Sequence, residues 1–333
     1  MPPSTTMPSN EARLLLLDRD AVAALLQPDD VRAAVREAFV LHGARAARVF
    51  PLVREELPGS AVFGIKSGDV PSQELLGFKA AGFWPANREG GSDAHQATIM
   101  LIDPRTGRPL CLADGNAVTT ARTAAAGALG LQLLARPDSE QLCVFGTGVQ
   151  ARAHVDYALH ALPSLQRVRY VTSDGRREPS FEAQLAGRCD IALAGGARTT
   201  AADAAVAASD VVITATPGHS MLFNTDAVRV GTHINAVGAD TPGKRELPPG
   251  LLQRARVWTD DLPQARRIGE LQWAHETPAA ELGELLATPA QRAAGDITIF
   301  DMTGIALQDL TTVRMLYQRA LSNNIGHNIP WPW

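Results

Sequence analysis

The sequence predicts an α/β fold in which a doubly wound parallel sheet is joined to a second, α+β unit. From residue 141 onwards, short apolar segments alternate with helical segments, which is typical of parallel strands buried on both faces. Between residues 51 and 114 the pattern is strand-like, and it contains a β-hairpin signal, ATIMLID-PRTG-RPLCLAD. A chain of 333 residues is long enough for two domains.

The N-terminal part is predicted to begin with a strand over residues 14–17, followed by helices that run towards His42. Asp20, and either Asp29 or Asp30, are the residues expected to cap the N-termini of these helices. This strand and these helices are expected to form one layer with the β-hairpin.

The rest of the chain supplies the parallel sheet and the helices that cover it. The predicted strands are 141–145, 168–172, 210–217, 232–240, 255–261 and 297–304. The predicted helices are an Ala-rich one over 117–134, then 150–161 and 201–208, and a last one over 305–321. The last helix is expected to return to the N-terminal layer, so that both chain ends build the second unit.

Composition excludes several classes of protein. Thirty-one basic and 35 acidic residues leave a net charge of −4, which does not favour nucleic-acid binding. No stretch approaches the roughly 20 apolar residues of a membrane helix. Residues 1–10 are polar and Pro-rich, which predicts a disordered tail and not a signal peptide. Three cysteines without CxxC spacing predict neither disulfides nor a zinc site, so a cytoplasmic enzyme without metal is expected.

Lysine is rare in this chain. Only Lys66, Lys79 and Lys244 occur among the 31 basic residues, and each lies close to a glycine. Because burial can tune lysine, but not arginine, for acid–base chemistry, these three are candidate functional residues.

A glycine-rich loop between a predicted strand and a predicted helix indicates a dinucleotide site. It has the pattern G-x-G-x-x-A and consists of Gly146, Thr147, Gly148, Val149, Gln150 and Ala151. The first glycine allows the tight turn, the second lets the backbone approach a pyrophosphate, and the small last residue lets helix and strand pack closely. The free N–H groups of the helix N-terminus would then face the phosphates.

The choice between NAD and NADP is expected to depend on the end of the second strand of the parallel sheet. A carboxylate there favours NAD, and a cation favours NADP. The segment after Thr172 and Ser173 holds both kinds of charge, Asp174 and then Arg176 and Arg177. Because the position directly after the strand is neutral, the sequence leans slightly towards NADP.

Several longer motifs resemble the ornithine cyclodeaminase/mu-crystallin family over nearly the whole chain, and most closely its imine- and ketimine-reducing branch. They are GFKAAGFWPAN, HQATIMLIDPRTGRPLCLADGNAVTTARTAAA, GTGVQA, SDVVITATP, GTHINAVGADTPGKREL, ELGELL and ITIFDMTGIALQDL. The resemblance implies a Rossmann domain over 126–305, inserted into a substrate-binding and dimerisation domain over 11–125 and 306–333. It also implies a homodimer and chemistry on an α-amino or α-imino acid.

The same resemblance implies the core of an active site. Lys79 in GFKAAG matches a substrate-site lysine, Arg122 in TTARTAAA a carboxylate-binding arginine, and Asp240 in NAVGAD an acid facing the reacting nitrogen. A guanidinium can grip a carboxylate through two hydrogen bonds, and an aspartate can balance an iminium or move its proton. Lys79 could hold the carboxylate or act as an acid. Without the resemblance, Arg122 could equally form a helix salt bridge and Asp240 could cap a turn.

Further contacts are implied by the resemblance. A second carboxylate-binding arginine is expected from Arg48 or Arg54, with Arg54 preferred, and His95 is a candidate for the same pocket or for a structural role. The expected nicotinamide-ribose contacts are Thr216, Asn235, Val237 and Thr303.

Three functions remain open, and imine reduction is the preferred one. Ornithine cyclodeamination with catalytic NAD is the first alternative, but it needs an extra acid to place the distal amine. The segment expected to supply that acid offers Lys66 instead, although Glu55 or Glu56 could fold in. A cation there would repel a diamine and suit a second substrate carboxylate. The second alternative is a non-catalytic nicotinamide-binding protein.

Overall fold

A computed structural model describes residues 12–288 and 292–331, which form two eight-stranded sheets and the helices packed on them. The predicted tail over 1–10 lies outside the described residues. No helix in the described part of the chain combines the length and the apolar character that spanning a membrane requires. The predicted α/β class is confirmed.

The first sheet is built from both ends of the chain. Its strands are β1 (Arg13–Leu17), β2 (Arg48–Val49), β3 (Val53–Leu57), β4 (Ala61–Val70), β5 (Leu75–Phe83), β6 (His95–Ile102), β7 (Pro109–Asp114) and β16 (His327–Pro330). The order is β16-β1-β7-β6-β5-β4-β2, with β3 paired to β4. All neighbours are antiparallel except β1 and β7, which are parallel.

The second sheet is parallel throughout. Its strands are β8 (Gln141–Phe145), β9 (Arg167–Thr172), β10 (Asp190–Gly196), β11 (Val211–Thr214), β12 (His233–Ala236), β13 (Arg256–Thr259), β14 (Ala279–Glu281) and β15 (Thr298–Asp301). The order is β10-β9-β8-β11-β12-β15-β13-β14. The order reverses between β8 and β11, and this is where doubly wound sheets bind a dinucleotide.

Ten helices of the described chain connect and cover the strands. They are α1 (Arg19–Leu25), α2 (Pro28–Gly43), α3 (Gly115–Leu134), α4 (Val149–Ala161), α5 (Pro179–Leu185), α6 (Thr200–Ala208), α7 (Leu251–Arg254), α8 (Leu262–Ile268), α9 (Leu282–Ala287) and α10 (Ala306–Asn323). α10 packs on one face of the first sheet, as predicted for the last helix.

Helix α3 is shared by the cores of both sheets. Val118 near its start packs in the core of the first sheet, whereas Leu131 and Leu134 near its end pack in the core of the second. The domain boundary predicted between residues 125 and 126 therefore falls within a continuous helix.

A second link between the sheets is the crossing of α2 and α9. A Cβ atom added at Gly43 would lie 2.5 Å from the backbone carbon of Gly283, and one at Gly283 would lie 2.2 Å from the carbonyl oxygen of Phe39. Only glycine allows the two helix backbones to approach this closely.

The predicted helix caps at Asp20, Asp29 and Asp30 are wrong. Asp18 caps α1 by accepting a hydrogen bond from the backbone N–H of Ala21 at 2.9 Å, and α2 begins at Pro28 without a side-chain cap. The three predicted residues lie in the first turns instead, where their charges favour the helix N-termini. Four strands were not predicted from the sequence: β2, β10, β14 and β16.

Candidate active site

Two buried cations share one carboxylate where the first sheet meets α3 and α10. The Lys79 Nζ atom on β5 lies 2.8 Å from Oδ2 of Asp309 on α10. On α3, the Arg122 Nε atom donates to Asp309 Oδ1 at 3.0 Å, and Nη1 donates to Gln308 Oε1 at 2.9 Å. Lys79 and Arg122 are only 4% and 5% exposed, so this is a rare concentration of charge in a protein interior.

Lys66 adds a third positive charge next to Lys79, because the two residues are direct cross-strand neighbours on β4 and β5. Its Nζ atom donates to the carbonyl oxygens of Thr303 and Gly304 at 2.7 and 2.8 Å. These carbonyls follow β15, so Lys66 reaches from the first sheet to the carboxyl edge of the second. We call Lys66, Lys79, Arg122 and Asp309 the cation cluster.

Both lysines of the cation cluster are poised to titrate near neutrality. Burial, followed by the charge of Arg122, lowers the pKa of Lys79 to about 7, while Asp309 acts in the opposite direction. Burial and Arg122 likewise lower the pKa of Lys66 to about 8. Lys79 can therefore exist in either protonation state at physiological pH.

Asp240 lies just after the carboxyl end of β12, within a chain of polar contacts that begins at Arg54. The Arg54 Nη2 atom donates to Thr241 Oγ1 at 2.6 Å, and that hydroxyl donates to Asp240 Oδ1 at 3.0 Å. Lys244 Nζ lies 2.8 Å from the same oxygen. Burial acts to raise the pKa of Asp240, but the charges of Lys244 and Arg54 hold it below its usual range, so the group is an anion.

The structure places Arg54, and not Arg48, beside Asp240. Arg48 forms an ion pair with Asp69 on the neighbouring strand and is largely exposed. The Nε atom of Arg54, by contrast, is buried and makes no hydrogen bond within residues 12–288 and 292–331.

His95 lies within electrostatic range of both the cation cluster and Asp240. Burial, then the charges of Lys79 and Arg122, lower the pKa of His95, and Asp240 acts in the opposite direction. A neutral imidazole at this position can donate or accept a hydrogen bond without adding a further positive charge.

The glycine-rich loop has the geometry that a dinucleotide requires. Gly146 has a φ of +99° and lies against Ala215, and Ala151 is fully buried between helix and strand. A Cβ atom at Gly148 would meet nothing within 4 Å, so the backbone there faces open space. Gly148 precedes α4 without a side-chain cap, which leaves the first N–H groups of that helix available to phosphate. These residues fit a bound dinucleotide.

The loop after β9 is closed on itself by local hydrogen bonds. Thr172 Oγ1 donates to the carbonyl oxygen of Arg176 at 3.1 Å, and Asp174 accepts from the Arg176 N–H at 3.1 Å. The Arg176 side chain is 86% exposed and lies 3.5 Å from Asp174, while Arg177 is engaged by Glu182. Arg176 is therefore the cation of this loop that is most accessible to a ligand.

Two of the expected ribose contacts have side chains that are buried and already hydrogen-bonded within the protein. Asn235 has no exposed surface, since Nδ2 donates to the Gly127 carbonyl at 3.0 Å and Oδ1 lies 3.0 Å from His233 Nε2. The Thr303 hydroxyl is buried between Asp260 and Gln264. Neither side chain offers an accessible polar atom to a ribose.

The other two expected contacts lie at the carboxyl ends of strands, where the dinucleotide cleft is predicted. Thr216 follows β11 and is half-buried, but its hydroxyl already donates to Glu246 Oε1 at 2.7 Å. Val237 follows β12, and its backbone N–H donates to the Thr214 carbonyl at 2.9 Å.

A line of buried acids that the sequence did not predict lies beneath this cleft. We call these residues the carboxylate network. Its members are Asp260, Asp301, Glu270 and Glu246. Asp301 accepts from the backbone N–H groups of Glu270 and Leu271, both at 3.0 Å, and Glu270 accepts from that of Glu246 at 2.6 Å. Burial raises the pKa of Asp301 to about 7. The network fixes the backbone of the loops around the cleft.

Sequence reasoning also missed Asp309, although the motif ALQDL contains it. A carboxylate in the first turn of a predicted helix was the available signal. It could not be separated from an ordinary first-turn acid, because its two cationic partners lie almost 190 and 230 residues away in the chain.

A separate group of three ionisable residues lies between α2 and the second sheet. His42 Nε2 is 3.2 Å from Asp261 Oδ2 and 3.6 Å from Glu281 Oε2. Among the described residues, these three form the one cluster of histidine and carboxylate side chains that could hold a metal ion. Burial acts to lower the pKa of His42, but the neighbouring carboxylates of Asp261 and Glu281 raise it to about 9. Arg45 also pairs with Glu281 at 2.8 Å. A protonated His42 and Arg45 together balance the two negative charges of Asp261 and Glu281.

Fold and site together define a class: a nicotinamide-dependent oxidoreductase whose cationic pocket lies beside the dinucleotide cleft. A profile of the ornithine cyclodeaminase/mu-crystallin family matches residues 18–324, and the chain belongs to this family. It is 33% identical to iminosuccinate reductase of Paracoccus denitrificans over 326 residues, which cover 95% of this chain and 99% of that protein. It is 32% identical to alanine dehydrogenase of Archaeoglobus fulgidus over 329 residues, 95% and 98% of the two chains.

Solved structures agree with this assignment. An archaeal alanine dehydrogenase dimer with bound NAD superposes with a TM-score of 0.88 at 30% identity, covering 96% of this chain and all of the other. The resemblance predicted from the motifs is confirmed.

Proposed function

We propose that the chain is an NAD(P)-dependent imine reductase, which transfers a hydride between nicotinamide and the Cα atom of a small α-imino or α-amino acid. The observation that carries this proposal is the pair of buried cations Lys79 and Arg122, which share the single carboxylate of Asp309. The similarity to iminosuccinate reductase and alanine dehydrogenase supports it.

Arg122 is the residue to hold the substrate carboxylate. Its Nε and Nη1 atoms are engaged by Asp309 and Gln308, and no hydrogen bond within the described residues uses Nη2. Gly304, at a φ of +76°, makes room for the Arg122 guanidinium, because a Cβ atom on residue 304 would lie 2.6 Å from Arg122 Nη1. A carboxylate gripped by this group and by Arg54 fixes the position of Cα.

The bound reduced nicotinamide supplies the hydride that reaches Cα. The imine nitrogen then keeps the electron pair of the former C=N bond and needs a proton. Lys79, with a pKa near 7, can hold that proton at neutral pH and release it. Asp240 is an anion throughout, so its role is to stabilise positive charge on the nitrogen and not to supply the proton.

Lys66 favours imine reduction over ornithine cyclodeamination. The pocket already holds two further cations, and the distal ammonium of a diamine would be repelled by them. Glu55 and Glu56, which could have supplied the missing acid, are exposed. The positive charge of Lys66 suits a substrate with a second carboxylate.

A non-catalytic binding protein is the less supported alternative. Binding alone does not need a buried lysine with a pKa near 7 beside Asp309, an aspartate that stays charged.

We assign the preference between NADP(H) and NAD(H) to Arg176. Its exposed guanidinium supports a preference for NADP(H), whereas Ser173 and Asp174 also allow NAD(H). The NAD bound in the archaeal alanine dehydrogenase argues for the second possibility. Competition between the two reduced cofactors in one assay decides between them.

A homodimer is proposed through the free face of the first sheet. β5 alternates between buried and half-exposed residues, and the half-exposed face of the sheet carries apolar side chains. They are Phe63, Ile65, Phe78, Met100 and Leu112. The substrate-binding and dimerisation unit would then comprise residues 11–125 and 306–333, and the Rossmann unit 126–305.

The test is consumption of NADH or NADPH, followed by absorbance, with a panel of substrates. The panel contains cyclic imines, and oxaloacetate, pyruvate and glyoxylate, each with ammonia or methylamine. Oxidation of the cofactor with one of these is expected, and Lys66→Met should lower activity with a dicarboxylic substrate more than with pyruvate. Proline and ammonia formed from ornithine, without net absorbance change, would establish the cyclodeaminase instead.

A further inference from the structure

Asp309 is a buried carboxylate that pairs with two cations at once, Lys79 and Arg122. It lies in the first turn of α10, has no exposed surface, and uses its two oxygens on two different segments of the chain. Oδ2 is 2.8 Å from Lys79 Nζ on β5, and Oδ1 is 3.0 Å from Arg122 Nε on α3. One carboxylate thereby sets the separation of the two cations.

The charge of Asp309 is permanent under physiological conditions. Burial acts to raise the pKa of Asp309, but the charges of Arg122 and Lys79 hold it below its usual range. The N-terminus of α10 also favours an anion in its first turn. Lys79 and Arg122 therefore lie beside a fixed negative charge in a region from which water is largely excluded.

Among the groups that act most strongly on Lys79, Asp309 is the one that favours its charged form. Besides Asp309, the groups that act most strongly on Lys79 are Arg122 and Lys66, and both are cations. Thr119 Oγ1 lies 3.5 Å from Lys79 Nζ and is a weak partner. Without Asp309, three like charges would face one another with no neighbouring anion in direct contact.

We propose that Asp309 is a positioning residue for imine reduction, which aligns Arg122 for the substrate carboxylate and keeps Lys79 protonated. This inference rests on the proposed function, because it assigns Asp309 a part in that reaction. It goes beyond a structural salt bridge, which would tie α10 to the sheet without affecting the chemistry.

The first test needs no enzymatic activity. Because the chain has three lysines, protein labelled with ¹³C at lysine gives three side-chain signals, which Lys66→Arg and Lys244→Arg assign. The titration midpoint of Lys79 is expected to fall by about one pH unit or more in Asp309→Asn. Asp69→Asn is the matched control, since it neutralises another buried carboxylate paired with an arginine, and it should leave the midpoint unchanged. An unchanged midpoint in Asp309→Asn would overturn the proposal.

The second test separates positioning from stability. In Asp309→Asn, the alkaline fall of kcat/KM should move to lower pH, and KM for the imino acid should rise by about tenfold or more. If that variant does not fold, Asp309→Glu retains the charge but displaces it, so the Lys79 midpoint should persist while KM rises. A KM equal to that of the wild type in Asp309→Glu would contradict the alignment of Arg122.

The two tests also distinguish this inference from the proposed function. A wild-type protein that oxidises no cofactor with any imine would remove the proposed reaction. In that case the Lys79 titration, repeated with and without oxaloacetate, still reports whether Asp309 controls the lysine. A Lys79 midpoint that changes in Asp309→Asn supports the inference that Asp309 keeps Lys79 protonated. A midpoint that is the same in both proteins refutes that inference.

Discussion

On the side of the cleft formed by the first sheet, Lys79 and Arg122 are buried cations that share the carboxylate of Asp309. On the side formed by the second sheet, the carboxylate network is a line of buried acids. The acids are saturated by the chain itself: Glu246, for example, accepts from the backbone N–H groups of Thr216 and Gly238 at 2.7 and 2.8 Å. The cations have fewer partners than they can donate to.

This difference separates a structural use of buried charge from a functional one. Backbone N–H groups compensate the acids within the fold, so the network needs no ligand to be stable. Three cations around one buried carboxylate leave an excess of positive charge, which an anionic substrate would neutralise. The loss of a cation should therefore affect activity first, and the loss of an acid should affect stability first.

The largest expected effect is on activity. Lys79→Ala and Arg122→Ala should each lower kcat/KM by at least about 100-fold, because either change removes a group that holds or protonates the substrate. Arg48→Ala is the matched control, since Arg48 forms its ion pair on the other side of the sheet, and its kinetics should match the wild type. Steady-state rates with the best imine decide the matter, and near-normal rates in either site variant would contradict the proposed site.

Stability against pH tests a different buried charge, His42 between the two sheets. His42 has its pKa raised from 6.5 to about 9, so its stabilisation is complete below pH 6.5 and is lost as pH rises through 9. At pH 6 to 7, His42→Gln should lower the free energy of unfolding by about 3 kcal/mol, because Asp261 and Glu281 lose their cation and Arg45 alone remains near them.

Urea unfolding at several pH values measures this effect. The difference between wild type and His42→Gln should shrink as the pH approaches 9 and above. His160→Gln is the control, because His160 is exposed and lies 3.9 Å from its nearest carboxylate. A difference that did not vary with pH would mean that His42 stabilises the interface by packing alone.

Glu246→Gln tests the carboxylate network itself. An amide in place of the carboxylate turns one N–H donor towards the donors of Thr216 or Gly238, so the free energy of unfolding should fall by about 2 kcal/mol. Glu140→Gln, at an exposed ion pair with Arg167, should change it by less than about 0.5 kcal/mol. Denaturant titration measures both. Equal stability of the two variants would contradict the inference that the buried acids serve stability while the buried cations serve activity.

The sequence was sufficient for the fold class, because the alternation of apolar strands and helices survives in the parallel sheet. The family resemblance also singled out Lys79, Arg122 and Asp240, which lie in long motifs, and their roles stay a prediction. The sequence could not exclude Asn235, because a strand covered on both faces gives no sign of which face meets the ligand. Asn235 lies on the face that meets α3, whereas the ribose contact was implied by the family resemblance.

Asp309 and the carboxylate network escaped prediction for a related reason. Their partners are backbone N–H groups or cations from distant segments, so no local spacing reveals them. Arg54 was preferred over Arg48 from the family resemblance, but its contact with Thr241, 187 residues further along the chain, became visible only in the structure. Residues that act through long-range contacts become visible only when the fold brings them together.

The smallest expected effect concerns the exposed cation of the cofactor cleft. Arg176 is compensated by solvent, unlike the buried cations, so Arg176→Ala should weaken NADPH binding by only about three- to tenfold. Binding of NADH should stay constant, since that cofactor carries no 2′-phosphate for the guanidinium to contact. Fluorescence titration with both cofactors measures the ratio of the two dissociation constants. If Arg176→Ala weakened NADH and NADPH equally, the residue would act on the shared part of the dinucleotide, and the preference for NADP(H) would lose its structural basis.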